Sequence, residues 1–285
     1  MRHRLPEWLR QIRASRAGLH LIKQRLRNGS LHTVCEEARC PNIGECFARP
    51  TAAFMLMGNI CTRNCGFCNL TSGRPAPLDI LEPEKVSEAA AALKLRHVVL
   101  TSVTRDDLPL GGAPHFCRTA AAIKRRMPQV TVEILTPDFQ GEIAAWNEIA
   151  TASIDVFNHN LETIKRLYPE IRPGADYRRS LDFLKFMTGK RPEVLGKSGF
   201  MLGLGEETSE VEGLLQDLRA AGAQAITIGQ YLQPRLGRCP VVRYVPPPEF
   251  DRWKEHALAM GYQKVASGPL VRSSYFADQM VESSI

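Results

Sequence analysis

The chain has 285 residues, which is long enough to bury a full hydrophobic core in one large domain. Hydrophobic residues make up 44% and charged residues 24%, and these ordinary values exclude a disordered or fibrous chain. The longest apolar run, Ala52 to Met57, is too short to cross a bilayer, and no long apolar signal segment opens the sequence. We therefore expect a folded protein with no membrane span and no export.

Positive charge is concentrated at the start of the sequence. The formal net charge is +7, and residues 1–30 hold eight lysines or arginines against the single acid Glu7, so the remainder is neutral. Such a segment indicates either contact with an acidic partner or a solvated helix face, and an arginine-rich start also fits a mitochondrial transit peptide. Because no basic stripe with interleaved aromatic residues follows, we expect no nucleic-acid partner.

From residue 52 onward, strand-like apolar runs alternate with helical patterns. Strands are predicted over residues 52–58, 97–103, 130–136, 154–159, 198–204 and 225–231. Helices are predicted over residues 82–95, 114–127, 141–151, 175–189, 208–222 and 247–260. Six strand–helix units favour a parallel α/β sheet. We expect a partial (βα)6 TIM barrel over residues 51–261, preceded by an N-terminal extension (1–50) and followed by a short C-terminal tail (262–285).

Polar residues occur in or just after three neighbouring predicted strands, near the end of the barrel that holds active sites. Thr101 and Ser102 end one strand, Glu133 lies in the next, and Asn158 ends the one after. Each has an ordinary interpretation as a helix cap, a turn residue or a surface charge. Their joint position favours a binding site.

Six of the eight cysteines fall between Cys35 and Cys68. Without a signal segment, clustered thiols indicate a reducing compartment, where they bind metal or act in redox chemistry rather than form disulfides. Cys117 and Cys239 lie outside this crowded region, and we expect them to be thiols with no role in a cluster.

Cys61, Cys65 and Cys68 follow directly on the first predicted strand. Three thiolates on one short loop fit three irons of a [4Fe–4S] cubane and leave the fourth iron open. Gly66 makes room for the backbone, and Phe67 offers an apolar shield. Spacing alone leaves zinc and a ferredoxin-type cluster as alternatives. The CxxxCxxC spacing, with an aromatic residue before the last cysteine, resembles the radical S-adenosylmethionine superfamily.

A second trio lies upstream, on Cys35, Cys40 and Cys46. Its spacing alone leaves zinc as an equal alternative to a cluster. This trio lies within the run LHTVCEEARCPNIGEC, which resembles the auxiliary-cluster signature of lipoyl synthases. The similarity covers nearly the whole chain and ends on the motif GPLVRSSY, residues 268–275. It also supports the prediction of a barrel.

This resemblance implies a radical enzyme with two [4Fe–4S] clusters and S-adenosylmethionine. The first trio would hold the radical-generating cluster, and the second an auxiliary cluster whose fourth ligand is Ser274, with Ser273 as the fallback. A serine oxygen is a harder ligand than a thiolate, which suits a cluster meant to come apart. Sulfur from that cluster would enter the sixth and eighth carbons of an octanoyl group on a lysine of a lipoyl carrier domain.

Contacts to S-adenosylmethionine are expected from polar groups near the cluster. A zwitterionic methionine tail and a ribose need carboxylate, amide, hydroxyl and guanidinium partners. The predicted contacts are Phe67, Thr101, Ser102, Glu133, Asn158 and Arg178.

The resemblance also implies partners. These are an octanoylated carrier domain of the glycine cleavage H protein or dehydrogenase E2 type, a flavodoxin or ferredoxin electron donor, and an iron–sulfur carrier for cluster repair. Because Pro6, Trp8 and Leu9 resemble the family's amino-terminal pattern, we expect a cytoplasmic protein rather than one with a detached transit peptide. An organelle matrix is the alternative location if the source is eukaryotic.

Alternative functions and one departure from the family pattern remain. The alternatives are a paralogous or biotin-synthase-like radical enzyme and, from another class, an iron–sulfur electron carrier or a zinc protein.

Lipoyl synthases usually carry a histidine just before a Leu-Pro-Val sequence, whereas this chain has Arg238 before Cys-Pro-Val. If Arg238 contacts the substrate or the carrier, we expect altered efficiency or substrate preference.

Overall fold

One mostly parallel sheet organises the computed structural model, which describes residues 5–10, 29, 31–38, 40–46 and 51–281. The strands are β1 (His32–Thr33), β2 (Thr51–Leu56), β3 (Ile60–Cys61), β4 (Thr71–Ser72), β5 (His97–Ser102), β6 (Thr131–Leu135), β7 (Val156–Asn158), β8 (Leu195–Leu202), β9 (Ala225–Gln230) and β10 (Lys264–Gly268). Within the described residues, β1, β2 and β5 to β10 form the main sheet in that spatial order. β3 and β4 form a separate parallel ladder.

Helices follow most strands of the main sheet. They are α1 (Val34–Glu37), α2 (Ile43–Cys46), α3 (Glu82–Ala92), α4 (Ala113–Arg126), α5 (Ile143–Ile149), α6 (Tyr168–Ile171), α7 (Tyr177–Lys190), α8 (Thr208–Ala220) and α9 (Pro247–Ala259). Short 3₁₀ helices lie at Glu7–Leu9, Pro109–Gly112, Phe139–Gly141, Lys165–Leu167 and Ala277–Met280. None of the helices in the described ranges is both long and apolar enough to span a membrane.

The sheet is an open barrel. Strands β2 and β5 to β10 pair with their neighbours in parallel, and only β1 runs antiparallel, against β2. In the described part of the chain the edge strands β1 and β10 do not pair with each other. The prediction of an α/β partial TIM barrel is therefore confirmed, and each of the six predicted strand–helix units is present.

Strand β10 was not predicted, because its residues were assigned to the C-terminal tail. Its sequence, KVASG, has a single large apolar side chain, and every residue in it is partly exposed. The strand nevertheless pairs with β9 along five consecutive positions. It extends the sheet and leads the chain back across the carboxyl ends of the strands.

Aromatic packing around Phe183 of α7 fixes the helical layer on the sheet. The Phe183 ring stacks on Trp146 of α5 at 4.9 Å between centroids and meets the edge of Phe157 of β7 at 5.0 Å. Phe157 and Phe183 are at most 1% exposed, and full burial of such a side chain contributes about 1.5–3 kcal/mol. This packing holds β7 in place, and with it the polar residues that follow β7.

Candidate active site

The first cysteine trio lies on a loop that connects the strands of the β3–β4 ladder. Cys61 ends β3, and Cys65 and Cys68 follow before β4 begins. The backbone N–H groups of Arg63 and Thr104 donate to the Cys61 Sγ at 3.4 and 3.3 Å. Such N–H groups stabilise a thiolate, which is the form of cysteine that binds iron.

The thiols of Cys61 and Cys68 lie close enough to Cys65 to influence its ionisation. Burial raises the pKa of the Cys65 thiol to about 11, although the Arg172 guanidinium opposes the rise. The neighbouring thiols of Cys68 and Cys61 raise the pKa of Cys65 further. Thiols that are protonated near neutral pH release protons when they bind a metal cluster.

Arg63 fastens the loop of the first trio to two loops of the barrel. Its guanidinium pairs with Asp106 Oδ2 at 2.6 Å and with Asp138 Oδ1 at 2.7 Å. Asp138 is fully buried and also pairs with Arg179. Burial alone would raise the pKa of Asp138, but the hydrogen bond and charge of Arg63 lower it to about 2. The carboxylate therefore stays ionised and anchors the loop.

The second trio lies on two short helices and the turn between them. Cys35 belongs to α1, Cys46 ends α2, and the Cys40 N–H donates to the Cys35 carbonyl at 2.9 Å. Burial raises the pKa of Cys35 far above its usual range, and the thiols of Cys40 and Cys46 raise it further. The three side chains are therefore near neighbours, as ligands of one cluster must be.

Hydrogen bonds between distant residues join the N-terminal extension to the rest of the molecule. Asn42 Nδ2 donates to the Leu270 carbonyl at 2.6 Å, which ties the segment of the second trio to the C-terminal tail. Asn69 Nδ2 donates to the Glu37 carbonyl at 2.8 Å, which ties α1 to the loop of the first trio. Both trios are thereby held at the same end of the barrel.

A cavity of about 480 Å³ lies at this end and is lined by members of both trios. Cys68 and Phe67 line it from the first loop, and Cys35 and Cys40 line it from the extension. The barrel contributes residues near the carboxyl ends of strands, such as Leu135, and the tail contributes Arg272, Ser273 and Ser274. A cavity of this volume is within the range of small-molecule binding sites.

A buried ion pair lies below the cavity. Lys197 of β8 is fully buried, and its Nζ donates to Glu133 Oε1 at 2.9 Å and to the Ser273 carbonyl at 2.7 Å. Burial alone would raise the pKa of Glu133, but the charge of Lys197 and the hydrogen bond from His97 hold it well below its usual range. The pair therefore joins the barrel interior to the tail.

The tail is seated close to β9. A Cβ atom on Gly229, near the end of that strand, would overlap the carbonyl oxygen of Val271, so only glycine permits this approach. Asn160 Nδ2 donates to the Ser273 hydroxyl. Ser274 lines the same cavity as Cys35.

Four of the predicted S-adenosylmethionine contacts lie in or beside the barrel interior. Thr101 of β5 and Asn158 of β7 are buried and lie opposite the cavity residue Leu135. Among the described residues, Ser102 Oγ and Asn158 Oδ1 have no hydrogen-bond partner. Asn158 Nδ2, in contrast, donates to Glu133 at 2.9 Å. These side chains are grouped as expected, although Glu133 is already paired with Lys197.

The other two predicted contacts are placed differently from each other. Phe67 lines the cavity beside Cys68. Arg178 projects from α7 with 80% of its side chain exposed and pairs with Asp182 one turn later. The structure therefore does not bring Arg178 together with the other predicted residues.

The predicted cofactor contacts do not include Lys197, Asn160, Glu162 or Arg272. Lys197 had a signal that could have revealed it, because a lysine within an apolar strand covered on both faces requires a partner. Asn160, Glu162 and Arg272 line the cavity. Burial lowers the pKa of Arg272, while Cys40 and Glu162 nearby favour its charged form. Arg272 thus lies between the second trio and the barrel.

The residues present fit the groups that the sequence predicts. Asn160 is 6% exposed, and its Oδ1 has no hydrogen-bond partner within the described part of the chain. An unpartnered acceptor beside a cavity suits a ligand that carries hydroxyl or amino groups. Among the described residues, no three ligating side chains converge as tightly as a single metal ion requires. A cubane is larger than one ion and holds its ligands farther apart.

Comparison with known proteins identifies the family. Residues 55–218 match the Radical SAM superfamily, and residues 1–40 match the N-terminal domain of lipoyl synthase of the Radical_SAM family. The lipoyl synthase of Methylococcus capsulatus is 53% identical over 277 residues, which cover 97% of this chain and 86% of that protein. The lipoyl synthase of Caldanaerobacter subterraneus is 53% identical over 275 residues, 96% of each chain. The chain belongs to the lipoyl synthase family.

Membership of the lipoyl synthase family confirms the prediction of a radical sulfur-inserting enzyme and sets aside the electron carrier and the zinc protein. It also implies a [4Fe–4S] cluster and S-adenosylmethionine as cofactors. Arg238, the departure from the family pattern, contacts the loop of the first trio, where its guanidinium donates to the Cys65 carbonyl at 3.3 Å. Cys117 Sγ donates to the Glu148 carbonyl at 3.3 Å, away from both trios.

Two solved structures share the fold of this chain at low sequence identity. SuiB of Streptococcus suis bound to S-adenosylmethionine gives a TM-score of 0.59 at 11% identity, covering 85% of this chain and 58% of SuiB. Methylornithine synthase PylB gives a TM-score of 0.53 at 13% identity, covering 96% of this chain and 85% of PylB. This chain therefore spans little more than half of SuiB, and the likeness shows the fold alone.

Proposed function

We propose that this chain inserts two sulfur atoms, at the sixth and eighth carbons, into an octanoyl group on a lysine of a lipoyl carrier domain. The observation that carries the proposal is the shared cavity, which is lined by Cys68 of the first trio and by Cys35 and Cys40 of the second. When bound, the first cluster supplies the electron that cleaves S-adenosylmethionine to a hydrogen-abstracting radical, and the second supplies sulfur. One cavity allows both steps on a substrate that stays in place.

Cys61, Cys65 and Cys68 hold the first cluster in this proposal. The N–H groups directed at the Cys61 Sγ support that role, because they stabilise a thiolate. Phe67 shields the cluster from water on the cavity side. The unpartnered Oδ1 of Asn160 accepts a hydrogen bond from S-adenosylmethionine.

Further contacts to S-adenosylmethionine come from the strand ends. Thr101 and Asn158 are supported by their register beside the cavity residue Leu135, and Ser102 and Asn158 by their unpartnered oxygens. Glu133 acts indirectly, by orienting the Asn158 amide at 2.9 Å. The exposed position of Arg178 gives no support to a direct contact.

Cys35, Cys40, Cys46 and Ser274 hold the second, auxiliary [4Fe–4S] cluster. Ser273 already has partners for its hydroxyl and its carbonyl, which favours Ser274 as the oxygen ligand. The hydrogen bond from Asn42 to the tail supports this arrangement, because it keeps the serines beside the second trio. An oxygen ligand is displaced more readily than a thiolate, as a cluster that is consumed requires.

The partners follow from this chemistry. The substrate is a lipoyl carrier domain of the H protein or E2 type, a flavodoxin or ferredoxin supplies electrons, and an iron–sulfur carrier rebuilds the consumed cluster. The basic start of the chain, eight lysines or arginines within residues 1–30, supports acidic partners, although most of it lies outside the described residues. We propose the cytoplasm as the location.

Counting iron tests the two-cluster proposal. Anaerobic reconstitution of the full chain should give about eight irons, falling to about four when Cys35, Cys40 and Cys46 are replaced by alanine. Cys117→Ala is the matched control, since its thiol contacts a helix carbonyl away from both trios, and it should retain the full iron content. Zinc in place of iron would contradict the proposal.

Product analysis tests the reaction itself. The reconstituted enzyme is incubated with an octanoyl-lysine peptide, S-adenosylmethionine and a reductant, and the peptide is analysed by mass spectrometry. We expect a gain of two sulfur atoms, and loss of this product in Ser274→Ala with 5′-deoxyadenosine still formed. Ser273→Ala is the comparison, because its backbone carbonyl and the bond to Lys197 remain. Formation of 5′-deoxyadenosine by the unmodified chain without any thiolated peptide would refute sulfur insertion.

A further inference from the structure

Residues 231–239, called the strap below, run from the end of β9 to the loop of the first trio. The Cys239 N–H donates to the Gly66 carbonyl at 3.0 Å. A Cβ atom on Gly66 would overlap the Cys239 Sγ, so the two backbones approach closely. At the other end of the strap, the Tyr231 hydroxyl donates to the Cys239 carbonyl at 2.7 Å. The strap therefore links a cavity residue to the loop that carries Cys65 and Cys68.

Arg238 supplies the strap's charged contact with this loop. Its Nη1 donates to the Asn64 side-chain oxygen and to the Cys65 carbonyl, the latter at 3.3 Å. Its Nη2 donates to the Leu70 carbonyl at 3.1 Å. These acceptors lie on both sides of Cys68 in the sequence, so one guanidinium spans the loop.

The charge of Arg238 also acts on the loop. All three acceptors are neutral amide oxygens, so they do not cancel the positive charge. A cation near a cluster stabilises its more negative, reduced form, because reduction adds one electron to the cluster.

We propose that Arg238 is a positioning residue that holds the loop of the first cluster closed and makes that cluster easier to reduce. The inference rests on the proposed function, in which Cys61, Cys65 and Cys68 bind the cluster. A planar guanidinium carries donors on separate nitrogens and so reaches acceptors on both sides of Cys68, whereas the three donors of a lysine share one nitrogen and a histidine has at most two. The position is also the one at which this chain departs from the family's histidine.

The test compares Arg238→Gln and Arg238→Lys in the full, reconstituted chain. Arg235→Gln is the matched control, because Arg235 lies in the same strap with an exposed side chain. Redox titration is followed by electron paramagnetic resonance, using the signal that S-adenosylmethionine shifts, since that signal belongs to the cluster with an open iron. Loss of the same signal to an iron chelator measures how firmly the loop holds the cluster.

In Arg238→Gln the first cluster should be reduced only at a more negative potential. Its signal should be lost to the chelator about tenfold faster, and that ratio corresponds to about 1.4 kcal/mol. Arg238→Lys should recover most of the potential but not the slow loss, because it keeps the charge without the three-way contact. Arg235→Gln should match the unmodified chain. An Arg238→Gln variant with unchanged potential and loss rate overturns this inference alone. An unmodified chain without the shifted signal overturns the proposed function and this inference with it.

Discussion

Replacing Lys197 by methionine should destabilise the fold through Glu133. Both side chains are at most 1% exposed, and Lys197 Nζ lies 2.9 Å from Glu133 Oε1. Removing one partner of a buried ion pair leaves an uncompensated charge and costs about 3–5 kcal/mol. For 285 residues the unfolding entropy is roughly 0.6 kcal/mol per kelvin, so the melting temperature should fall by about 5–8 °C.

The pH dependence of this loss gives a sharper test. In the unmodified chain the pKa of Glu133 is lowered, so the pair's contribution is present above the unfolded pKa and is lost as pH falls through the folded one. In Lys197→Met, burial acts without the opposing charge and raises the pKa of Glu133. As the pH falls, the buried Glu133 carboxylate is protonated, and the cost of its unpaired charge is removed. The difference in melting temperature should therefore be smaller at pH 6 than at pH 8.

Thermal unfolding followed by circular dichroism under anaerobic conditions measures this difference. The double variant Lys197→Met with Glu133→Gln is the control, because it removes the charge together with its partner, and it should recover most of the loss at pH 8. A Lys197→Met variant that melts with the unmodified chain at pH 8 would refute the account. A difference in melting temperature that grows as the pH falls would also refute the account.

Three other substitutions separate the two halves of the site. Gly229→Ala should push the tail away from β9 and reduce the iron content toward about four per chain, while 5′-deoxyadenosine formation persists. Asn42→Ala should weaken retention of the second cluster alone, because it leaves the Leu270 carbonyl of the tail without its donor, at a cost of about 1–3 kcal/mol. Equal loss of iron from both clusters would contradict this expectation. Gly66→Ala should impair the first cluster through its overlap with the Cys239 Sγ, and adding Cys239→Ala should restore part of the signal that S-adenosylmethionine shifts.

The strand–helix units and the first trio are predictable from local sequence patterns, whereas the prediction of a barrel rests in part on the family resemblance. Apolar runs without polar alternation mark the covered strands, and the spacing of Cys61, Cys65 and Cys68 requires only one loop. Strand β10 escapes prediction because it is short and partly exposed, so its pairing with β9 depends on tertiary context.

The joint cavity is not predictable from local patterns, because it depends on contacts between distant parts of the chain. The tail carbonyl that accepts from Lys197 lies 76 residues away in sequence, and neither segment alone indicates the other. Ser274 enters the prediction only through the family resemblance, since the sequence around it would otherwise indicate an exposed tail. Arg238 is noticed in sequence as a departure, but its contact with the cluster loop requires the folded chain.

The hydrogen bond from Asn42 to the Leu270 carbonyl joins residues 228 positions apart, and the Tyr275 hydroxyl reaches Glu45 across 230. Contacts of such separation close a very large loop, and the two ends of that loop lie at opposite ends of the sequence. The loop of Cys61, Cys65 and Cys68 is held by Asp106 and Asp138 through Arg63 and, from farther along the chain, by Arg238 and Cys239 of the strap. A chain that lacks β10 and the tail should therefore keep the contacts of the first loop and lose those that join the second trio's segment to Leu270 and Tyr275, so it would hold only the radical-generating cluster.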